Sequence, residues 1–133
     1  MTEFVQMTTT VLIVDDSKLA RIVVGKAITA VKPDWARIEA SSADEALEVL
    51  GSSSVDVAIL DYNMPGRNGI ELAEQIRGDR PQMPIAIATA NVQDEIIARA
   101  RTAGAVFVAK PITEESLRGF LTGAALQLRA TDS

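Results

Sequence analysis

The sequence contains no cysteine and no histidine among its 133 residues. Without cysteine the chain has no disulfide, no zinc–thiolate site and no thiol nucleophile. Without histidine it has no serine–histidine–aspartate triad, no imidazole metal ligand and no phosphohistidine carrier. Chemistry at any site of this chain must therefore use Asp, Glu, Lys, Ser, Thr or backbone groups.

Positive charge and long apolar runs are also scarce. The chain has 13 Lys and Arg against 18 Asp and Glu, a net charge of −5, whereas nucleic-acid binding needs clustered positive charge. No window approaches the roughly 20 apolar residues that cross a membrane, and the first ten residues lack the features of a secretory signal. We therefore predict a soluble, cytoplasmic protein with no nucleic-acid and no membrane partner.

The length and the hydrophobic content of 47% suit one globular domain with a single core. We predict a flexible leader over residues 1–9, the domain over 10–129 and a short tail over 130–133. This division leaves no residues for a separate output domain.

A short apolar run followed by a longer amphipathic segment recurs five times in this domain. The alternation predicts an α/β fold, with a parallel five-stranded sheet, right-handed crossovers and helices on both faces. Four runs are continuously or nearly continuously apolar, which is typical of strands buried on both faces, whereas the second alternates like an edge strand. The predicted strands are 11–14, 36–40, 55–60, 85–89 and 105–109.

Capping and turn residues mark the ends of the intervening helices. Hydroxyl side chains precede three helical segments, and glycines stand at several helix borders. We expect Ser17, Ser42 and Thr113 to begin helices, Gly69 to open the third helix, and Gly51 and Gly104 to end helices.

Polar side chains follow four of the five apolar runs: Asp15 and Asp16, Asp61, Thr89, and Lys110. In an open α/β sheet, ligands bind at this carboxyl edge of the strands. Taken singly, each residue also has an ordinary interpretation. The acid pair could cap a helix, the lone Asp could start a turn, and the Lys could be a surface residue.

Taken together, these residues predict a site. Three carboxylates at one edge of a sheet repel each other unless a cation neutralises them. Oxygen ligands without His or Cys favour a hard ion, Mg²⁺ before Ca²⁺. Lys110 and the Thr89 hydroxyl would then bind a phosphoryl group, and a carboxylate can itself be the nucleophile that forms an aspartyl phosphate.

Four segments resemble, in order and spacing, the landmarks of the response-regulator receiver domain: VLIVDD, AILDYNMPGRNG, IAIATA and FVAKP. The resemblance covers about residues 10–129. It implies a flavodoxin-like (βα)5 fold with a doubly wound parallel sheet of strand order 2-1-3-4-5. It also implies a two-component signalling protein that is not an enzyme beyond catalysing its own phosphorylation and dephosphorylation.

The resemblance also assigns a metal site and an acceptor. It makes Asp61 the phosphoacceptor and Asp16 a direct ligand of Mg²⁺. Asp15 would hold the ion through water, and the backbone carbonyl of Asn63 would complete the metal site.

The remaining landmarks match residues that respond to phosphorylation. The resemblance makes Thr89 the switch hydroxyl, with Ala90 keeping access to the site open, and Lys110 the partner of the phosphoryl oxygens. Pro111 follows a peptide bond that is usually cis in this family. Phe107 would be the switch aromatic that packs inward on activation, with an ordinary core side chain on the last strand as the alternative.

The implied phosphoryl donor is a sensor histidine kinase or a histidine phosphotransfer protein, and a phosphatase is a further partner. A target protein would bind the surface of the fourth and fifth helices and the last strand. The expected role is that of a chemotaxis-type docking regulator, with a phosphorelay intermediate or a phosphate sink as alternatives.

Three other classes fit the sequence poorly. A haloacid-dehalogenase-type phosphatase needs a second Asp two residues after the nucleophile, where Asn63 stands. A phosphorylation-independent pseudoreceiver would have lost the acid pair, the acceptor or the lysine. A dinucleotide-binding enzyme needs a glycine-rich turn after the first strand, where the sequence reads DDSKLA.

Overall fold

The computed structural model of the chain describes residues 8–90 and 93–132. Residues 1–7 of the predicted leader and Ser133 of the predicted tail lie outside the described residues. Strands and helices alternate in the order β1 (Thr10–Val14), α1 (Lys18–Val31), β2 (Ala36–Ala40), α2 (Ala43–Ser52), β3 (Val57–Asp61), α3 (Gly69–Asp79), β4 (Ile85–Thr89), α4 (Asp94–Thr102), β5 (Val106–Ala109) and α5 (Glu114–Asp132). The last helix thus continues past residue 129, where we expected the domain to end.

The five strands form one parallel sheet of order β2-β1-β3-β4-β5. This order confirms the doubly wound flavodoxin-like fold. The chain runs from β1 outward to β2 and then returns to the other side of β1, so the winding direction reverses between β1 and β3. The carboxyl ends of β1 and β3 are therefore adjacent at the switch point, where ligands bind in such sheets.

The core has two layers, one on each face of the sheet. Along β1, Leu12 and Val14 face the layer beneath α2, α3 and α4, whereas Val11 and Ile13 face the layer beneath α1 and α5. Alternate side chains of a strand point to opposite faces, so apolar residues are needed at every position. Burial of β1, β3 and β4 on both faces is thereby confirmed.

The same prediction is wrong for β5. This strand lies at the edge of the sheet, where Val108 is buried but Val106 is 50% exposed. An apolar run indicates a strand but not how many neighbouring strands it has. It therefore does not show which strand lies at the edge of the sheet. The exposed apolar edge instead belongs to the surface formed with α4 and α5.

The helix starts follow the predicted signals. Side chains of Ser17 and Ser42 accept hydrogen bonds from the first turns of α1 and α2, and Thr113 does the same for α5. Within the described ranges, no helix is both long and apolar enough to cross a bilayer.

The helix ends are less regular. Gly104 follows α4 with φ +75°, the left-handed conformation expected of a terminating glycine. Gly51 does not end α2, which continues through Ser52, and that prediction is wrong. The hydroxyl of Ser52 donates to the Glu48 carbonyl one turn back and supports the extra residue.

Arg77 joins two loops at the amino edge of the sheet, opposite the predicted site. Its guanidinium donates to the backbone carbonyls of Arg80 and Pro81 after α3 and of Ala103 and Gly104 after α4. These bonds satisfy carbonyls that the helix ends leave without partners. Burial lowers the pKa of Arg77 from its ordinary value, but an arginine remains charged at neutral pH.

Candidate acidic site at the carboxyl edge of the sheet

The structure brings the three predicted acids together. Asp15 and Asp16 directly follow β1, Asp61 ends β3, and one carboxylate oxygen from each lies within 4.8 Å of the others. Asp15 and Asp61 are buried, whereas Asp16 is exposed. A compact set of oxygen donors with one open side fits Mg²⁺, which keeps some of its water ligands.

Lys110, which follows β5, points its ammonium group into this cluster. Its Nζ lies 2.8 Å from Asp61 Oδ1 and 3.4 Å from Asp15 Oδ2. Burial alone would lower the pKa of Lys110, but the hydrogen bond and the charge of Asp61, together with Asp15, raise it. The ammonium group therefore stays protonated at neutral pH and offsets part of the negative charge.

The surroundings of Asp61 disfavour its ionised form. Burial raises the pKa of Asp61, and the charges of Asp15 and Asp16 raise it further, while Lys110 acts in the opposite direction. The site borders a cavity of about 280 Å³ whose other walls are mostly apolar side chains of β1, α1 and residues 110–112. The ionised carboxylate is thus held in an unfavourable environment that a bound cation would relieve.

The raised pKa of Asp61 predicts a pH-dependent cost to stability. The folded chain binds this proton more tightly than the unfolded chain, so the stabilising contribution is complete below 3.8, the ordinary pKa, and is lost as the pH rises through the raised value. We expect Asp61→Asn to gain stability relative to the wild type between pH 4 and pH 7, as measured by urea unfolding in EDTA. Saturating Mg²⁺ should shrink that gain, because the ion binds the folded wild type. A difference that is independent of pH would contradict this prediction.

The predicted switch hydroxyl lies at the same edge of the sheet as the acids, because β4 pairs with β3. Thr89 ends β4 and is 1% exposed, and its carbonyl accepts a hydrogen bond of 2.9 Å from the Lys110 backbone. Ala90 follows and is exposed. Asn63 is also exposed, in the loop between Asp61 and α3.

The peptide bond between Lys110 and Pro111 is cis, as the resemblance implies. Phe107 lies on β5 opposite Ile87 and is half-buried. It borders a groove with Ile97 and Val106. Phe107 thus lies at the exposed apolar edge of the sheet.

Gly69 has a role at the site that the sequence did not reveal. Its N–H donates to the Tyr62 carbonyl, and a Cβ at this position would lie 2.3 Å from the Asp61 carbonyl oxygen. The sequence predicted that Gly69 opens α3, which is confirmed, and that it allows a tight loop. The close approach depends on how α3 meets β3 and has no local sequence signal.

Arg21 is a second residue that sequence reasoning missed. It lies on α1, and its guanidinium donates to the Asp15 carbonyl and to the Glu39 carboxylate. Its position five residues after Asp16 is the available sequence signal, because one helical turn carries a side chain back toward the start of the helix.

Comparison with known proteins supports one family. Residues 11–122 match the response regulator receiver domain. The chain is 32% identical over 114 residues to the chemotaxis protein CheY of Pseudomonas aeruginosa, covering 81% of this chain and 89% of that protein. It is also similar in structure to CheY4 of Vibrio cholerae, with a TM-score of 0.80, 27% identity, and coverage of 89% of this chain and 99% of that one.

Other relatives are longer. The chain is 35% identical over 116 residues to a cyclic di-GMP phosphodiesterase of Thermotoga maritima. The aligned residues cover 86% of this chain but only 30% of that protein. It spans 52% of the glycerol metabolism activator of Pseudomonas putida. The chain thus spans about a third to a half of the length of these relatives. From the match over residues 11–122 and the shared fold, the chain belongs to the response regulator receiver domain family.

Proposed function

We propose that this chain is a two-component response regulator that accepts a phosphoryl group on Asp61. The observation that carries the proposal is the Lys110 ammonium group 2.8 Å from Asp61, within the three-acid cluster. A carboxylate oxygen of Asp61 attacks phosphorus, and the oxygen–phosphorus bond forms as the bond from phosphorus to the donor leaving atom breaks. Lys110 stabilises the charge on the phosphoryl oxygens during transfer.

The proposed donor is a phosphohistidine of a sensor histidine kinase or of a histidine phosphotransfer protein. These 133 residues contain no histidine, so the phosphorylated imidazole is supplied from outside this sequence. The histidine nitrogen leaves with the electron pair of the broken bond. The nucleophile is the carboxylate form of Asp61, so the attack itself transfers no proton. We place this transfer in the cytoplasm.

The proposed cofactor is Mg²⁺, held by the side chains of Asp15, Asp16 and Asp61 with the Asn63 carbonyl. When bound, Mg²⁺ supplies positive charge that stabilises the phosphoryl oxygens. Both carboxylate oxygens of Asp15 already have partners, since Oδ1 accepts from the Ser17 N–H and Oδ2 lies 3.4 Å from Lys110 Nζ. This supports binding through water by Asp15 and direct binding by the exposed Asp16.

The proposed response begins at the phosphoryl group and ends at a binding surface. Thr89 moves toward the phosphoryl oxygens past the small side chain of Ala90, and Phe107 packs inward into the space that Thr89 leaves. This motion biases a two-state surface formed by α4, β5 and α5. The half-buried Phe107 and the exposed Val106 on that surface support its role in docking a target protein.

Acetyl phosphate with Mg²⁺ tests the proposed acceptor. Intact-mass spectrometry should show a labile adduct of about 80 Da, one phosphoryl unit, on the wild-type chain. Asp61→Asn should remove the adduct, whereas Asp79→Asn, at an exposed acid at the end of α3, should retain it. Equal adduct yields in the wild type and Asp61→Asn would refute the proposal.

The downstream role is tested with beryllofluoride, which mimics the phosphoryl group. We propose a chemotaxis-type docking regulator, so treated protein should bind a motor component more tightly than untreated protein. Selective binding to a histidine phosphotransfer protein would favour the relay, and absence of any target would favour the phosphate sink. A phosphatase that removes the phosphoryl group completes the proposed set of partners.

A further inference from the structure

Arg21 links three elements beside the acidic site. Its Nη1 donates to the Asp15 carbonyl at 2.7 Å and its Nε donates to Glu39 Oε1 at 2.8 Å. The side chain is 14% exposed, and Glu39 belongs to the edge strand β2. One planar guanidinium thus joins α1, the carboxyl end of β1 and β2, with two donors in a fixed relative orientation.

The hydrogen bond from Arg21 completes the restraint of Asp15. The N–H of Asp15 donates to the Ala40 carbonyl at 3.1 Å, and its Oδ1 accepts from the Ser17 N–H at 2.9 Å. The Asp15 carbonyl lies in the planar peptide group that joins Asp15 to Asp16. Holding this carbonyl therefore sets the direction in which Asp16 leaves the main chain.

We infer that Arg21 is a positioning residue that directs the Asp16 carboxylate into the acidic cluster, with Glu39 holding the guanidinium in place. This inference rests on the proposed Mg²⁺-dependent function. Asp16 is exposed, so packing around its side chain contributes little to its orientation, and the main-chain restraint has the larger effect. Groups that orient metal ligands commonly change metal affinity when they are removed.

Electrostatics alone predicts the opposite outcome. Arg21 carries a positive charge near a cation site, so removing that charge should strengthen Mg²⁺ binding if charge were its main contribution. The ion pair with Glu39 offsets that charge, which leaves the hydrogen bond to the Asp15 carbonyl as the larger effect. The sign of the change in affinity therefore separates positioning from simple charge.

Isothermal titration of the full chain with MgCl₂ tests this inference. We expect Arg21→Met to raise the Mg²⁺ dissociation constant by about tenfold, at the lower end of the usual effect of losing such a group. Arg21→Lys keeps the charge but not the planar fork, so it should also weaken binding.

Arg37→Met is the matched control. Arg37 extends from β2 to the same helix, where it donates to the Gly25 carbonyl at 2.7 Å and to the Thr29 hydroxyl, away from the acids. The Arg37→Met substitution should leave the Mg²⁺ dissociation constant unchanged. Urea unfolding should show that each variant is folded under the titration conditions, so that a change in affinity does not come from unfolded protein.

Several outcomes would overturn the inference. An unchanged or lower dissociation constant in Arg21→Met would do so, as would an equal increase in Arg37→Met, which would indicate general loosening between α1 and β2. If Arg21→Met does not fold, an unchanged Mg²⁺ dissociation constant in Arg21→Lys would overturn the inference instead. Failure of the wild type to bind Mg²⁺ would overturn the proposed cofactor as well, whereas normal phosphorylation with unchanged affinity would overturn only the role of Arg21.

Discussion

Lys110→Met should slow phosphorylation of Asp61 by about 100-fold, because removal of one group that stabilises developing charge commonly costs 10²–10³ in rate. The ammonium group lies 2.8 Å from Asp61 Oδ1 and is placed to stabilise the transferring oxygens. The measurement is the initial rate of adduct formation from acetyl phosphate at saturating Mg²⁺, so that changes in metal affinity do not contribute.

Two opposing effects make this prediction a stringent one. Without Lys110, the Asp61 carboxylate loses an ion pair, becomes more basic and is a better nucleophile. We expect the loss of charge stabilisation to dominate, since it acts on the transition state more strongly than on the free carboxylate. Lys26→Met, at an exposed position on α1, is the control and should react like the wild type. A Lys110→Met rate close to that of the control would show that the ammonium group holds the resting site together without contributing to transfer.

Gly69→Ala should lower the free energy of unfolding by about 3 kcal/mol, the upper part of the range for forcing added atoms into a packed site. The new Cβ would lie 2.3 Å from the Asp61 carbonyl oxygen, 3.0 Å from its carbon and 3.1 Å from the Tyr62 Cα. All three are backbone atoms, so no side-chain rotation can relieve the contact. The first turn of α3 and the end of β3 at Asp61 must therefore move apart.

Gly78→Ala provides the comparison within the same helix. A Cβ at this position meets nothing within 4 Å, so the substitution should raise the free energy of unfolding by about 0.5–1 kcal/mol through helix propensity. Urea unfolding measures both variants. Small and equal changes in the free energy of unfolding of the two variants would contradict this prediction. They would mean that α3 can move away from Asp61 without loss of stability.

The sequence was sufficient to predict which polar residues meet at the site. Asp15, Asp61 and Lys110 each follow an apolar run, and in a parallel sheet the carboxyl ends of all strands lie at one edge. Their meeting therefore needs the alternation of strands and helices but no knowledge of side-chain packing. The strand order needed more, because it came from the family resemblance and not from the pattern of hydrophobic residues.

The supporting residues could not be predicted in this way. The exposure of Val106 depends on β5 having a single neighbour, and the apolar sequence of β5 is the same for an edge or a central position. The contact of Gly69 with Asp61 and the hydrogen bond of Arg21 to Asp15 depend on distances between elements. Such distances are set by the packing of whole helices and leave no periodic signal along the chain.

The hydrogen bonds of Arg77 have a mechanical consequence for signalling. They anchor the carboxyl end of α4 at Ala103 and Gly104, whereas the opposite end of α4 lies on the side of Thr89. The nine residues of α4 form a rod of roughly 13 Å at 1.5 Å per residue. In the proposed response, a displacement that begins near Thr89 would therefore tilt this rod about the end held by Arg77, and the movement of each residue of α4 would decrease toward that end.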